Sequence, residues 1–449
     1  MNVDRQTSSG PNSWSSLPNS GNNSRAAQDT LIVLAPAWPG ETRGCDIALR
    51  ASLLLYLKYF RKVHFICISA EPFRNADEWP EDRVSWIQAP TVDSPKWLRF
   101  LQSLKGAQPA VAVRYARAKR AVMGVMREIV ACCSSRPFLI VEDIPTACFV
   151  GHIAREFPDI PVAIRSFNII EKGFEPLCRT GSYLHRLCWR YEVARVRRFE
   201  KEVCERVNKV WAISAGDARD YSERLAVETD GVVGICMDVD RYAEVPDGDP
   251  QTIVHVGTAD LRKGKGLTDF IECVWPRVRS KVAGARLVLA GRGTDKYANR
   301  RLGIEGLGFV GDDRDVLKQG RIFVNTQQIG AGIQLKSVVA MLAGKALIST
   351  PMAAEGIDGE DGKHFVVGRS LEQMAAQISY LALTPDRTAQ IGRDARELAT
   401  VRYSLGHFFE SSRVALEDFV CNDEGARAGA ERFIHASGRH PCGKYCTMA

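Results

Sequence analysis

Short, continuous apolar runs alternate with helix-like segments along most of the sequence, and this alternation constrains the fold more than any other feature. The first two runs, at residues 31–35 and 63–68, flank a helical stretch at residues 45–60. Two more runs, at residues 138–141 and 162–164, are also separated by a helical segment. Strands that are buried on both faces are apolar throughout, so the pattern predicts βαβ units around a parallel sheet.

The same alternation begins again after a polar segment at residues 243–250. The new apolar runs lie at residues 252–256, 285–290, 309–310, 321–324 and 345–349. The chain has 449 residues, which is more than one hydrophobic core usually serves. We therefore expect an α/β protein with a first domain over residues 31–242, a hinge at 243–250 and a second domain over residues 251–421. Ligands of such sheets bind beyond the carboxyl ends of the strands, so a site in the cleft between the domains is expected.

Composition narrows the class of protein. Apolar residues make up 45% and charged residues 25%, as in ordinary globular domains, and no apolar run is long enough to span a bilayer. The 13 cysteines are scattered and no secretory signal precedes them, so a cytoplasmic protein with reduced thiols is expected. The net charge of +7 permits contact with an anionic membrane but does not indicate a nucleic acid partner.

The two ends of the chain have the composition of tails. Residues 1–30 are rich in Ser, Asn, Gly and Pro and are predicted to be disordered, because they cannot bury enough apolar surface to offset their ordering entropy. Residues 422–449 show no clear period and are predicted to be weakly ordered. They contain His440, Cys442 and Cys446, but three ligands at this spacing match no standard zinc site, so tail residues are the preferred interpretation.

A glycine-rich loop in front of a helix is the strongest local motif. Gly330 and Gly332 follow a predicted strand that ends at Val324, and a helix is predicted over residues 333–343 with Lys336 in its first turn. Such a loop offers free N–H groups and the positive end of a helix dipole to a phosphate. A plain strand–turn–helix joint that needs glycine explains the loop about equally well.

A second loop of the same kind follows the first strand of the second half. Between Gly257 and Gly266 it carries Arg262, Lys263 and Lys265. Cations at the carboxyl end of a strand suit a diphosphate, whose charge must be offset in a closed site. A solvated basic loop is the commoner explanation for one such loop, but two of them in one domain favour phosphate binding.

Other nucleotide and metal motifs fit poorly. Gly344-Lys345 is followed by alanine and lacks the upstream glycine of a P-loop, and the first βα turn, at residues 36–44, lacks the spacing of the dinucleotide fingerprint. Asp238 and Asp240 have the spacing of a Mn²⁺-binding pair. Their position near the hinge favours a linker, so no metal site is predicted.

A long charged segment at residues 185–206 is predicted to be an amphipathic helix. Its basic side chains are Arg190, Arg195, Arg197, Arg198 and Lys201. They could contact anionic lipid at the inner face of a membrane. A solvated helix face on which glutamates are interspersed is at least as good an explanation.

Taken together, the motifs of the second half resemble the C-terminal domain of family 4 glycosyltransferases. The matches lie in order between residues 253 and 405, at 256–258, 285–291, 308–311, 329–333, 336, 340–341, 343–345, 349–350 and 355–357. The first half matches more loosely, through Gly44, through Asn168 with Glu171, and through residues 210–214. The resemblance implies the GT-B fold, in which two Rossmann-like, doubly wound domains enclose a cleft and the final helix returns to the first domain.

The resemblance also implies an activity. A sugar, with a hexose as the expected type, would pass from a nucleotide-diphosphate sugar to a carbohydrate or lipid-linked acceptor during the assembly of a polysaccharide or glycoconjugate. The anomeric configuration would be retained, and no metal or other cofactor would be needed. Lys263, Lys265 and Asn168 would be catalytic. The donor would contact Gly257, Arg262, Gly311, Gly330, Gly332, Ile333 and Lys336. Gly44 and Glu171 would face the acceptor.

Three positions depart from the family's pattern. Val339 stands where a glutamate usually binds the donor's ribose, Phe167 replaces a common histidine, and Thr258 replaces a residue that is often arginine. These departures leave open a catalytically silent homologue that binds a nucleotide sugar or serves as a scaffold. A nucleotide-sugar epimerase is a third interpretation, for which Glu171 and Glu355 are the candidate carboxylates.

Overall fold

The computed structural model describes residues 28–40, 44–73, 78–92, 94–104, 106, 108–259 and 264–421. Most of the predicted N-terminal tail and all of the predicted C-terminal tail lie outside this range, and so do the candidate zinc ligands His440, Cys442 and Cys446. Arg262 and Lys263 of the second predicted phosphate loop lie outside it as well. Within the described residues, no helix is long and apolar enough to cross a membrane.

The described part of the first domain contains a seven-stranded parallel sheet. Its strands are β1 (Gln28–Ala35), β2 (Phe60–Ser69), β3 (Val84–Pro90), β4 (Phe138–Glu142), β5 (Val162–Ser166), β6 (Lys209–Ala212) and β7 (Gly231–Val232), in the order β3-β2-β1-β4-β5-β6-β7. The helices are α1 (Gly44–Tyr59), α2 (Lys96–Leu104), α3 (Ala110–Ala116), α4 (Lys119–Cys132), α5 (Val150–Glu156), α6 (Ile170–Phe174), α7 (Tyr183–Cys204), α8 (Ala215–Asp220) and α9 (Asp240–Ala243). Helices cover both faces of the sheet, so the central strands are buried throughout, as their apolar runs predict.

The described part of the second domain contains a six-stranded parallel sheet. Its strands are β8 (Asp249–Val256), β9 (Arg286–Ala290), β10 (Ile304–Gly306), β11 (Gly320–Asn325), β12 (Ala346–Ser349) and β13 (Val366–Val367), in the order β10-β9-β8-β11-β12-β13. The helices are α10 (Gly264–Asp269), α11 (Trp275–Lys281), α12 (Arg314–Leu317), α13 (Leu335–Leu342), α14 (Leu371–Leu383), α15 (Pro385–Arg402) and α16 (Leu405–Cys421). The two parallel sheets confirm the predicted fold of two Rossmann-like domains.

The boundaries of several elements differ from the predicted ones. β1 begins at Gln28, inside the segment predicted to be a tail, because Gln28 pairs in register with Phe60 of β2. α9 ends at Ala243 and β8 begins at Asp249, so the connection between the domains is residues 244–248. Backbone pairing extends both strands through polar residues, which is why the apolar runs underestimate them. The Lys345 ammonium donates to two carbonyls of this connection, that of Pro246 and that of Asp247 (3.0 Å).

The last helix, α16, packs against the first domain. The Phe419 ring lies 5.4 Å from the rings of Phe138 and Trp211, measured between centroids. Asp418 forms an ion pair with Lys209 of β6 (Nζ–Oδ2, 2.6 Å). The chain therefore crosses between the domains twice, at residues 244–248 and at the start of α16. The segment before the first crossing is hydrogen-bonded to the second, because the Met237 amide donates to the Tyr403 carbonyl (2.9 Å).

An ion pair is buried at the centre of the first domain. Arg165 of β5 and Glu142 of β4 are fully buried, and their Nη1 and Oε2 atoms are 3.0 Å apart. The guanidinium also donates to the Val233 carbonyl (2.9 Å) and to that of Gly234. The Tyr56 hydroxyl donates to the second Glu142 oxygen (2.6 Å). These bonds offset the desolvation of the two charges and fix the segment that follows β7.

Candidate functional site

The glycine loop of the second domain touches the first domain directly. Gly332 has φ +72°, and a methyl group added there would lie 2.7 Å from the Phe167 carbonyl oxygen and 3.1 Å from Asn168 Cβ. Glycine is therefore required both by the left-handed backbone and by the close approach. Gly44, at the start of α1, faces Leu335 across the same boundary, where an added methyl group would lie 3.5 Å from Leu335 Cδ1. The fold thus brings together Gly44, Asn168 and Gly332, which are far apart in sequence.

An ion-pair bridge joins the domains beside this contact. The Lys172 ammonium contacts Asp220 of the first domain (Nζ–Oδ2, 2.5 Å) and Glu355 of the second. Burial opposes the charge on Lys172, but its hydrogen bonds to the two carboxylates outweigh that effect and raise its pKa. Lys172 therefore stays a cation at neutral pH and holds the domains together. Because Glu355 is held in this bridge, it is poorly placed for the acid–base role that an epimerase would require.

The described parts of the two predicted phosphate loops lie side by side at the carboxyl ends of β8 and β11. The Lys336 ammonium is 3.5 Å from the position that a Cβ of Gly257 would occupy. At the start of α10, Gly266 packs so closely on the Thr326 carbonyl oxygen that an added methyl group would lie 2.0 Å from it. α13 begins at Leu335, two residues later than predicted, and Lys336 remains in its first turn.

His255 completes this cluster, and the sequence motifs did not point to it. Its Nδ1–H donates to the Val324 carbonyl (2.8 Å), which leaves the Nε2 lone pair facing Gly257. Burial and the nearby Lys336 ammonium lower the pKa of His255 to about 3, so the imidazole is neutral at physiological pH. The sequence did contain a signal for this residue, because His255 interrupts the apolar run of β8.

The other predicted site residues of the second domain have separate surroundings. Gly330 packs against Met352 and Gln327, which leave no room for a side chain. Ile333 lines a cavity of about 630 Å³ between the domains. Gly311 is exposed after β10, with open space around it. Lys265 is on the first turn of α10, 62% exposed, and paired with Asp269 (2.8 Å).

Glu171, predicted to face the acceptor, is buried among arginines of the first domain. Its carboxylate is buried and bonded to Arg224 (Nη1–Oε2, 3.0 Å), with Arg197 at 3.7 Å. These arginines come from α7 and from the turn after α8, so Glu171 fastens α6 to its neighbours. It is not among the residues that line the cavity at the carboxyl ends of β1, β2, β3 and β4.

That cavity has a volume of about 590 Å³ and contains the clearest functional candidate of the first domain. Its lining includes Trp38, Asp46, Phe73, Arg114, Tyr115 and Asp143. Asp143 directly follows β4 and has φ +73°, a conformation that non-glycine residues rarely adopt. Strained backbone of this kind is concentrated at functional sites. Sequence analysis missed Asp143, although a carboxylate at the carboxyl end of a buried strand was a usable signal.

Asp143 is linked to the contact between the domains through its hydrogen bonds. Its carboxylate accepts from the Ile144 amide (3.0 Å). Burial raises the pKa of Asp143 to about 6, although hydrogen bonds from the backbone amides of Ile144 and Phe167 act in the opposite direction. The Phe167 carbonyl is the group that Gly332 approaches. Asp143 therefore lies between the cavity of the first domain and the glycine loop of the second.

The chain has two Rossmann-like domains that meet at a glycine loop, which is the architecture of GT-B proteins. Residues 250–383 match the family Glycosyl transferases group 1. This match covers most of the second domain and agrees with the resemblance that the sequence motifs carry. No curated protein matches the sequence.

Solved structures with the same fold cover nearly the whole chain. HepE of Anabaena in complex with UDP is 15% identical, with a TM-score of 0.59, over 87% of this chain and 100% of that one. HepE is also known in complex with UDP-glucose. Sucrose-phosphate synthase of Thermosynechococcus elongatus is 13% identical, with a TM-score of 0.64, over 88% and 100%. An E. coli structure described as trehalose-6-phosphate bound with UDP-2-fluoro glucose is 11% identical, with a TM-score of 0.61, over 87% and 99%. These similarities confirm the GT-B fold.

Proposed function

We propose that the protein is a glycosyltransferase that moves a sugar from a nucleotide-diphosphate sugar to an acceptor bound in the first domain. The observation that carries this proposal is the cluster of Gly257, His255 and Lys336 beside the glycine loop. This cluster offers a cation to a diphosphate at the cleft. The Asp143 cavity lies on the other side of the contact at Gly332, where an acceptor would meet the donor.

The donor diphosphate is bound through charge. The Lys336 ammonium offsets the negative charge that develops on the departing diphosphate, and the N-terminus of α13 adds the positive end of a helix dipole. Lys263 and Lys265 remain proposed partners of the same diphosphate, and Lys265 would have to leave Asp269 to reach it. The complexes of HepE and of the E. coli protein with uridine nucleotides support UDP-hexose as the first donor to test.

The transfer step joins the two sites. The acceptor hydroxyl oxygen bonds to the anomeric carbon while the bond from that carbon to the diphosphate oxygen breaks, and the hydroxyl proton passes to the Asp143 carboxylate. The Asp143 carboxylate accepts a hydrogen bond from the acceptor hydroxyl and orients it, and Asn168 borders the reacting centre. The resemblance supports retention at the anomeric carbon and an acceptor from polysaccharide or glycoconjugate assembly. The described cysteines are all free, which supports a cytoplasmic location.

UDP binding by calorimetry tests the donor site. We expect wild-type protein to bind UDP and Lys336→Gln to bind it about 10- to 100-fold more weakly, because a charge-assisted hydrogen bond to phosphate contributes about 1.5–3 kcal/mol. Lys318→Gln is the matched control, because Lys318 is an exposed lysine that pairs only with Asp315 among the described residues. Absence of binding to UDP, GDP and ADP alike would contradict the proposal.

A catalytically silent homologue is the second candidate, and Val339 is the residue that favours it. Val339 is half-buried and packs, with Val256 and Val310, against the core of the second domain. The position where the family usually binds ribose through a carboxylate is therefore part of an apolar wall. A ribose bound here lacks the ionic hydrogen bond that the family's glutamate supplies. Donor binding is therefore weaker, while the diphosphate cluster is unchanged.

Val339→Glu separates the two candidates. If the wild type is active, transfer does not depend on a carboxylate at this position, and we expect turnover without the substitution. Val339→Gln controls for size, because it adds a side chain of the same length without the charge. Wild-type protein that binds UDP-sugars without transfer or hydrolysis, together with turnover gained in Val339→Glu, would identify the silent homologue. The assay is release of UDP across a panel of acceptors.

A further inference from the structure

The first half of α7 exposes a stripe of bulky apolar side chains. Tyr183 and Leu184 are each 71% exposed, Leu187 is 51% exposed and Tyr191 is 52% exposed. Their spacing of i, i+1, i+4 and i+8 places all four on one face of the helix. Single exposed apolar residues are common on protein surfaces, but a contiguous stripe of four indicates a surface that binds a partner.

α7 is held in place by its opposite face, so the stripe is not needed for folding. Trp189 packs against Phe174, with ring centroids 5.4 Å apart and the rings tilted by 52°, and its Nε1–H donates to His185 Nε2 (2.9 Å). Ser182 caps the helix by accepting from the His185 amide (3.4 Å). Residues 181–188 are all exposed. An ordered helix therefore presents the stripe to whatever lies outside the molecule.

The stripe leads directly into a basic groove between α5 and α7. Tyr191 lines this groove, which has a volume of about 660 Å³ and is also lined by His152, Arg155, Arg198 and Arg206. Arg198 follows Tyr191 by two helical turns and so continues the same face of α7. Among the described residues, neither Arg155 nor Arg198 has an ion-pair partner.

Positive charge dominates the groove and extends beyond it. The lining includes one carboxylate, that of Glu202, which lies 3.8 Å from the Arg206 guanidinium. Arg195, which also lines the groove, donates to the carbonyls of Ser103 and Gly106 (both 2.8 Å) and so has a structural role. A neighbouring cavity shares His152 and Arg155 and adds Lys119, Arg120 and Arg127, opposite Glu156.

We propose that the α7 surface, defined as Tyr183, Leu184, Leu187 and Tyr191 together with Arg155, Arg198 and Arg206, docks on an anionic lipid bilayer. The apolar stripe enters the boundary between headgroups and acyl chains, and the arginines bind headgroup phosphates. A stripe of tyrosine and leucine flanked by arginine is complementary to such a bilayer in both hydrophobicity and charge. A purely apolar partner would leave the groove's cations unused. This inference goes beyond the proposed glycosyl transfer and does not depend on it.

Vesicle co-sedimentation of the full-length protein tests the proposal. We expect binding to equimolar phosphatidylcholine–phosphatidylglycerol vesicles, weakening as salt is raised, and at least tenfold weaker binding to phosphatidylcholine alone. Leu184→Ser/Leu187→Ser should weaken binding to the anionic vesicles about tenfold or more. Arg155→Gln/Arg198→Gln should do the same and should also flatten the salt dependence.

A matched control keeps the test specific. Val401→Ser/Val414→Ser removes two side chains that are 60% and 66% exposed elsewhere on the molecule, and it should bind the vesicles like the wild type. Melting temperatures show that each variant is folded. The proposal is overturned if the protein does not bind anionic vesicles, or if both α7 variants bind as the wild type does. It is also overturned if light scattering shows that the stripe instead joins two copies of the chain.

Discussion

Asp143→Asn is expected to lower the kcat of sugar transfer about 100-fold at pH 8 while UDP affinity stays within about twofold. The carboxylate that orients the acceptor hydroxyl is replaced by an amide that accepts a proton poorly, and contributions of this kind are about 10²- to 10⁴-fold. The donor cluster around Lys336 belongs to the other domain and is unchanged. Asparagine tolerates positive φ better than most residues, so the strained turn after β4 is kept.

The pH dependence of the rate provides a second readout for Asp143. Its pKa is raised to about 6, so the carboxyl is protonated below that pH and ionised above it. The rate of the wild type should therefore rise through about pH 6 and level off, and this inflection should be missing in Asp143→Asn. Asp46→Asn removes another carboxylate from the same cavity and should keep the inflection. An inflection that persists in Asp143→Asn would show that another group carries it.

Arg165→Leu is expected to reduce the free energy of unfolding by about 3–5 kcal/mol, because it leaves the buried Glu142 carboxylate without its partner. The variant also removes the donors to the Val233 and Gly234 carbonyls, which fix the segment after β7. Urea unfolding monitored by tryptophan fluorescence measures the change. A transition midpoint equal to that of the wild type would contradict the prediction.

Two variants show whether the effect on stability comes from burial of the pair. Arg127→Leu breaks an ion pair with Glu156 at the protein surface, where the side chains are 59% and 35% exposed, and should not measurably change the midpoint. Arg165→Leu/Glu142→Leu removes both charges and should regain part of the lost stability, because no unpaired charge stays in the core.

The fold could be predicted from the sequence because buried parallel strands leave a direct signal. Each central strand is apolar throughout, and the interruption near residues 243–250 separates the two sheets. The ends of the strands could be predicted less well from the sequence. Gln28 and Asp249 belong to strands through backbone pairing, which is independent of side-chain polarity.

The part of the candidate site whose residues are close together in sequence could be predicted. Gly332 and Lys336 belong to this part, and they lie where a glycine motif in front of a helix suggests. The cavity around Asp143 could not be predicted, because its walls come from segments far apart in sequence and its pKa depends on burial. Lys265 and Glu171 show a further limit of prediction from sequence. The sequence gives the charge of each residue, but not the residue with which it forms an ion pair in the fold.

The two crossings of the chain between the domains restrict how the cleft can open. The connection at 244–248 and the start of α16 are neighbours, because Met237 is hydrogen-bonded to Tyr403. Two adjacent covalent links permit rotation about the line that joins them but resist translation of one domain along the other. Opening of the cleft by such a rotation would break the Lys172–Glu355 ion pair, and closing would return the domains to the same register.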